Sequence, residues 1–242
     1  MRTLGLDVKK VNCWSDYIKI IDEYDKPGWV FRGVISKKYE LVPKVGRQQF
    51  RNNYSLRSEK LLLRIFKQRA IAHVPFIPKN DLEWLALGQH HGLPTRMLDW
   101  TTSPLVALYF AVNKDINDDS AVYARHVPRR GKEEFDPFAV KEVRKYYPPH
   151  ITPRIPAQQA LFTVQPSPTE PMQVDSRTLD KHGPIIKIIV PKDSCFEFRR
   201  RLSFYGINQE SMFPDLDGAC GHLSWRYEMG IGFWPKSLRL NQ

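Results

Sequence analysis

Residues 84–111, WLALGQHHGLPTRMLDWTTSPLVALYFA, constrain this chain more than any other stretch. Two histidines, an arginine, an aspartate and three consecutive hydroxyls stand between two apolar runs. Polar groups at that density between buried elements need partners, because an unpaired buried polar group is costly. The second run opens Ser103-Pro104 and continues LVALYFAV, apolar nearly all round. Serine as N-cap and proline at the first helical position predict a helix start, and the apolar circumference predicts deep burial. Upstream, Asn80-Asp81-Leu82-Glu83 has capping-box form and opens a helix that Gly92 and Pro94 end near His91.

Periodicity places further elements around this block. Trp14, Tyr17, Ile18 and Ile21 share one helical face, which predicts a helix over about 13–24 that stops before Lys26-Pro27-Gly28. Trp29–Gly33 reads as a strand in which Gly33 permits close backbone approach, and a second extended piece is expected over Tyr39–Val42. SEKLLLRIFKQRAIA, residues 58–72, is a helix ended by Pro75 and Pro78. Ala121–Val127, Leu161–Val164 and Ile185–Val190 read as strands. Ser194-Cys195-Phe196-Glu197 is a second capping-box pattern, leading a helix that ends near Gly206. A basic, proline-bearing insertion covers about 128–156, and a flexible loop is expected over about 165–183. The expectation is a single α+β domain spanning 1–242, with buried helices early and most strands late.

Thirty-seven Lys and Arg against 26 Asp and Glu give a net charge of +11, which favours acidic partners such as nucleic acid or nucleotide phosphates. It also suits an ordinary solvated basic surface. Cys13, Cys195 and Cys220 are isolated, so neither a zinc site nor a disulfide framework is expected. The N-terminal residues build no apolar core of a leader, and no run approaches the ~20 residues of a membrane span. A cytoplasmic protein with reduced thiols, no metal and no membrane contact is the expectation.

Several residues are candidates for chemistry. Arg32, between Phe31 and Gly33 on an apolar strand, needs an anion. Either it clamps a phosphate or ribose, or it pairs with an internal carboxylate such as Asp99. Thr101, Thr102 and Ser103 gather at a helix N-terminus, where free N–H groups and the helix dipole favour anions; Ser103 is the natural cap. His90 and His91 point about 100° apart on a helix, so at most one faces a given cleft. Asp99 calls for Arg96 or Arg32 as its partner. Glu210, in GINQESMFPDLDG, and Asp215 are the late carboxylates in a compact setting.

These residues together resemble the FRG-domain proteins, named for a Phe-Arg-Gly motif, here Phe31-Arg32-Gly33. The resemblance continues through Gln89–Arg96, Leu98–Thr101, Ser103-Pro104 and Ala107–Ala111. Later it takes in Arg154-Ile155, Gln159, Phe162-Thr163, Gly206-Ile207 and Phe213–Gly218, covering about 14–223. The chain also resembles, more weakly, ADP-ribosyltransferases of the arginine–serine–glutamate type. That resemblance implies a mixed, split sheet flanked by N-terminal helices, with NAD as substrate. Arg32 would hold the NAD phosphates or the adjacent ribose, and Thr101, Thr102 or Ser103 would brace the nicotinamide side. Gly33, His90, His91 and Gln159 complete the expected NAD contacts, and Arg32, Thr102 and Glu210 the expected catalytic set.

A transferase of this type stabilises positive charge on the sugar with a glutamate, but Gln158 and Gln159 occupy the place before the late strand where it would stand. Either Glu210 supplies the carboxylate or the domain binds a nucleotide without turnover. The function the resemblance implies is ADP-ribose transfer from NAD to a nucleic-acid or protein acceptor, in a toxin or phage-defence setting with an antitoxin or immunity partner. The alternatives are an NAD glycohydrolase and a non-catalytic nucleotide or nucleic-acid binding module.

Overall fold

The computed structural model describes residues 5–114, 116–127, 134–172 and 183–231. Among these residues seven strands form one mixed sheet: β1 (Leu6–Lys10), β2 (Trp29–Val34), β3 (Met97–Thr101), β4 (Ser120–His126), β5 (Arg144–Tyr146), β6 (Ala160–Val164) and β7 (Ile185–Val190). Their order is β1-β7-β4-β2-β3-β6-β5, and β1 with β7 is the parallel pair. Among the described residues nine α-helices flank the sheet. They are α1 (Trp14–Asp22), α2 (Gln48–Arg51), α3 (Leu56–Ala70), α4 (Asp81–His90), α5 (Pro104–Val112), α6 (Arg154–Ala157), α7 (Cys195–Phe204), α8 (Gln209–Met212) and α9 (Leu216–Glu228). The fold is α+β.

The two-residue period of the strands divides the core. Phe31, Val122, Ala124, Ile186 and Ile188 face one side, where they pack with α5, Tyr17 of α1, and Phe198 and Leu202 of α7. Their neighbours Val30, Val34, Ala121, Tyr123 and Ile185 face the other side, with Leu98, Trp100 and Leu161. Alternate Cβ atoms point to opposite faces, so strands buried on both faces read as near-continuous apolar runs. A third cluster joins Leu63 of α3 and Leu82, Trp84 and Leu85 of α4 to Met97 and Phe162.

The sheet is continuous but nearly divided at its centre. β2 pairs with β4 over six residues and β3 with β6 over five. Between β2 and β3 a single pair remains, Phe31 opposite Thr101. Beyond it the two strands diverge into a fork. Gly33 lies just past that pair, pressed onto α5: a Cβ there would stand 1.9 Å from the carbonyl oxygen of Ala107.

Local signals held where side chains cap or punctuate. Ser103 Oγ accepts from Val106 N–H at 3.3 Å with Pro104 at the first helical position, and Asn80 Oδ1 accepts from Glu83 N–H at 3.0 Å. Glu83 reaches back one residue further than a capping box requires, accepting from Lys79 N–H. Ser194 does not cap α7. A 3-10 turn over Lys192–Ser194 already places it in helical conformation, and Glu197 pairs with Arg200 and Arg201 instead. Tyr39–Val42 forms no strand; Tyr39 N–H donates to the Ser36 carbonyl, its own carbonyl accepts from Tyr123 Oη, and the Leu41 carbonyl accepts from Met172 N–H.

The expected insertion has its first residues, 128–133, outside the described ones, while Phe135, Phe138 and Val140 pack on the third cluster and 144–146 form β5. Of the expected loop, 173–182 lie outside the described residues and Met172 is buried. No described helix is long and apolar enough to cross a membrane.

Candidate functional site

The fork between β2 and β3 is bridged by one side chain. In antiparallel register, Phe31 opposite Thr101 would continue to Gly33 opposite Asp99, but no ladder pair forms there. Arg32 Nη1 donates to the main-chain oxygen of Asp99 at 2.7 Å and to its Oδ2 at 3.3 Å. The guanidinium thus satisfies a carbonyl that the ladder has abandoned. Gln89 Nε2, from α4, donates to the same Oδ2 at 2.9 Å, and Thr95 Oγ1 donates to Gln89 Oε1 at 2.5 Å. Arg32 is only 13% exposed in its side chain, against 54% for Asp99. Its buried Nε has no hydrogen-bond partner among the described residues, which leaves one donor of the guanidinium unsatisfied.

The fork opens into a cavity of about 1290 Å³. Among the described residues six cationic side chains line it: Arg32, Lys38, Arg47, Arg51, Lys114 and Arg154. The carboxylates that line it among the described residues are Glu40 and Asp99. Arg154, at the start of α6, is aimed by Asp215, which accepts from its Nε at 3.2 Å, and lies over the Phe213 ring at 5.1 Å. Asp215 also caps α9 through Gly218 N–H, and its carboxyl is held below the usual range by the Arg154 hydrogen bond and then by that N–H. Arg47 is held below the ordinary arginine value by desolvation and then by the charge of Arg32. His90 is lowered by burial, then by His91 and Arg154, against an opposing pull from Asp99. It faces the cavity as a neutral imidazole at pH 7, able to donate one hydrogen bond and accept another.

Of the residues expected at the site, Arg32, Gly33, His90 and Thr101 line this cavity. The close approach that Gly33 permits is to the α5 backbone. Thr101 Oγ1 accepts from Ser103 N–H at 3.0 Å, and Ser103 caps α5. Thr102 and Gln159 are exposed and bonded to each other, Oγ1 to Oε1 at 3.0 Å and Thr102 N–H to the Gln159 carbonyl at 3.2 Å. Gln159 adopts a left-handed φ of 46° where α6 turns into β6. His91 is exposed at the end of α4. Glu210 is exposed on α8, away from the cavity lining and near enough to raise the affinity of His222 for a proton. Gln158 does line the cavity, with its Nε2 bonded to the Met212 carbonyl at 3.0 Å.

Arg47, Lys38 and Glu40 escape sequence reasoning because they lie in an irregular segment with no periodicity. Asp99 is visible in the sequence as a carboxylate awaiting Arg96 or Arg32. Arg32 takes it, because Arg96 is buried in a bidentate pair with Glu59 at 2.9 and 2.7 Å. Among the described residues no cluster of three or more His, Cys, Asp or Glu is placed to hold a metal ion.

Residues 27–120 match the family model described as the FRG domain. The chain carries an FRG domain. No curated protein and no solved structure matches it. The matched FRG segment runs from β2 to the first residue of β4 and so contains Arg32, His90, Asp99 and Thr101. Arg154, Gln158 and Phe213 come from the chain beyond the FRG match and also line the cavity.

Proposed function

We propose that the fork cavity binds NAD and that the protein transfers ADP-ribose from it to an acceptor. The observation that carries this reading is the partly buried Arg32 guanidinium, with an unsatisfied Nε, standing against a half-exposed carboxylate in one cavity. Arg32 and Arg154 are the anion clamps for the pyrophosphate, since a guanidinium offers a planar fork of donors matched to phosphate oxygens. His90 is a neutral hydrogen-bonding wall. Asp99, oriented through Oδ2 by Arg32 and Gln89, keeps Oδ1 for a ribose hydroxyl.

In the reaction, the bond from ribose C1′ to the pyridinium nitrogen breaks, and its electron pair leaves on neutral nicotinamide. A lone pair of the acceptor nitrogen or oxygen forms the new bond to C1′, and the acceptor's proton passes to water. Positive charge grows on the sugar between these events, and a fixed carboxylate lowers the barrier by opposing it. With water as acceptor the same cavity is an NAD glycohydrolase.

One observation favours a second reading. Asp99 is engaged by two donors and Glu210 lies outside the cavity lining, so the same pocket suits a nucleotide-binding module without turnover. Labelled NAD separates the two. Transfer predicts nicotinamide release that Arg32→Ala and Asp99→Asn abolish; a binding module predicts saturable NAD binding that Arg32→Ala weakens, with no release. Loss of release in Glu210→Gln with Asp99→Asn active would return the catalytic role to Glu210. Neither release nor binding would reject both readings.

A further inference from the structure

The cavity is larger and more cationic than one NAD requires. Small-molecule sites usually enclose about 300–1,000 Å³, and this one encloses about 1290 Å³. NAD carries an ionised pyrophosphate and a pyridinium cation, so its net negative charge is small. Arg32 and Arg154 are sufficient for the pyrophosphate, which leaves the exposed Lys38, Arg51 and Lys114 and the partly desolvated Arg47 around the rest of the cavity. We propose that these residues bind the phosphate backbone of a single-stranded nucleic acid, which enters the mouth of the cavity as the acceptor. The proposal rests on the NAD reading for the acceptor role alone; binding of the strand stands by itself.

The present partners of these cations are ones a phosphate can replace. Lys38 Nζ stands 3.9 Å from Asp118, and Arg51 pairs with Glu170 at 2.8 Å with both side chains at least half exposed. An exposed pair such as Arg51–Glu170 contributes little to stability, and Lys38, itself 79% exposed, stands at the long end of ion-pair distance. Arg47 donates its Nε to the Val42 carbonyl at 3.2 Å, and its crowding by Arg32 is relieved when an anion lies between them. Beside them Tyr39 leaves an exposed ring at the mouth while its own carbonyl is anchored by Tyr123 Oη at 2.7 Å. Cations along a groove with an anchored aromatic are how proteins hold single strands, the bases stacking and the phosphates pairing. A duplex would have to open before its bases reached the cavity.

The test needs no NAD. Fluorescence anisotropy of a labelled single-stranded DNA or RNA oligonucleotide is followed across salt concentrations, with a labelled duplex in parallel. Tight binding of single strands at low salt is expected, with an affinity that falls steeply as salt rises. The triple variant Lys38→Ala/Arg47→Ala/Arg51→Ala should bind about tenfold more weakly, with a log–log salt slope shallower by about 2. Arg47→Gln alone should lose about 0.7 of that slope, a readout that survives if the triple variant folds poorly. Arg57→Ala/Arg64→Ala/Arg69→Ala removes the same charge from exposed positions of α3 and should leave the slope closer to wild type. No binding of single strands, equal loss in the α3 variant, or a preference for duplex would overturn the proposal. So would label from NAD appearing on protein alone when both acceptors are offered. Nicotinamide release, measured separately, reports on the NAD reading.

Discussion

Arg32 and Asp99 are joined across a gap where two strands should have been. The guanidinium reaches the Asp99 carbonyl at 2.7 Å and its carboxylate at 3.3 Å, just past the single residue pair that links β2 to β3. One residue therefore holds the fork and lines the cavity that the fork creates. Because Asp99 stays half exposed, loss of Arg32 leaves no buried unpaired charge. Arg32→Ala should then cost only about 1 kcal/mol of stability. Its effect on an anionic ligand should be larger, about 10- to 100-fold in affinity, as for a charged hydrogen bond in a partly buried site. Urea unfolding and NAD titration on the same preparation check both numbers; a large stability loss with unchanged binding would make Arg32 purely structural.

Glu59 and Arg96 present the opposite case. Both side chains are 2% exposed, and Arg96 also donates to the Pro137 carbonyl at 2.7 Å and lies over the Phe138 ring. The pair ties α3 to the start of β3 and to the loop after 133, behind the cavity rather than in it. Removing one partner strands a buried charge, so Glu59→Gln should cost about 3–5 kcal/mol. Replacing both as Glu59→Leu/Arg96→Met should recover much of that loss, because an apolar pair of similar volume avoids the desolvation cost. Denaturant midpoints for the three proteins test this, and a double variant no better than the single would show that the Pro137 and Tyr54 contacts dominate.

How much of this was legible in the sequence depends on whether the signal was local. Ser103-Pro104 and Asn80 act within one helical turn, and their caps are where the chain predicts them. The β-branched runs of β4 and β7 are strands for the same reason. β1, LDVKK, and β5, RKY, carry too much charge to announce themselves, and each becomes a strand only by adding to an edge of the sheet. α9, with two glycines and no apolar stripe, is likewise held by its neighbours. The cavity joins β2, β3, α4, α6 and an irregular segment far apart in sequence, so charge at Arg47 or Lys38 carries no mark of its destination. Arg32 and Asp99 could each be read as needing a partner; that they need each other is decided by the divergence of two strands.

Gly33 should be intolerant of any side chain. A Cβ would stand 1.9 Å from the Ala107 oxygen and 2.6 Å from the Ala111 nitrogen, and both are backbone atoms of a buried helix that cannot step aside. Gly33→Ala must push β2 off α5, with overpacking costs of about 1–3 kcal/mol or more. Since Arg32 precedes it, the fork should widen as well. Loss of thermal stability together with weaker nucleotide binding is the expected outcome, measured by thermal unfolding with and without NAD; a Gly33→Ala protein as stable as wild type would mean that the strand is not seated on the helix as described.

His90 should make stability fall in mild acid. Its folded-state pKa is lowered from 6.5, first by burial and then by His91 and Arg154, so the unfolded chain binds a proton more readily than the folded one. Stability is then greatest above about pH 6.5 and declines as pH drops through that value, levelling off below the depressed folded pKa. His222 is lowered in the same direction by burial and Arg226, and contributes to the same window. Carboxylates held low, such as Asp118, Asp119 and Asp215, act only nearer their ordinary 3.8 and below. His90→Gln should therefore flatten part of the stability profile between pH 7 and 5, and adding His222→Gln should flatten it further. A phosphate-bearing ligand in the cavity should oppose the trend, because an anion beside His90 favours its protonated form and so tightens as pH falls. Stability and ligand affinity measured across the same range should move in opposite directions; parallel movement would place the anion elsewhere.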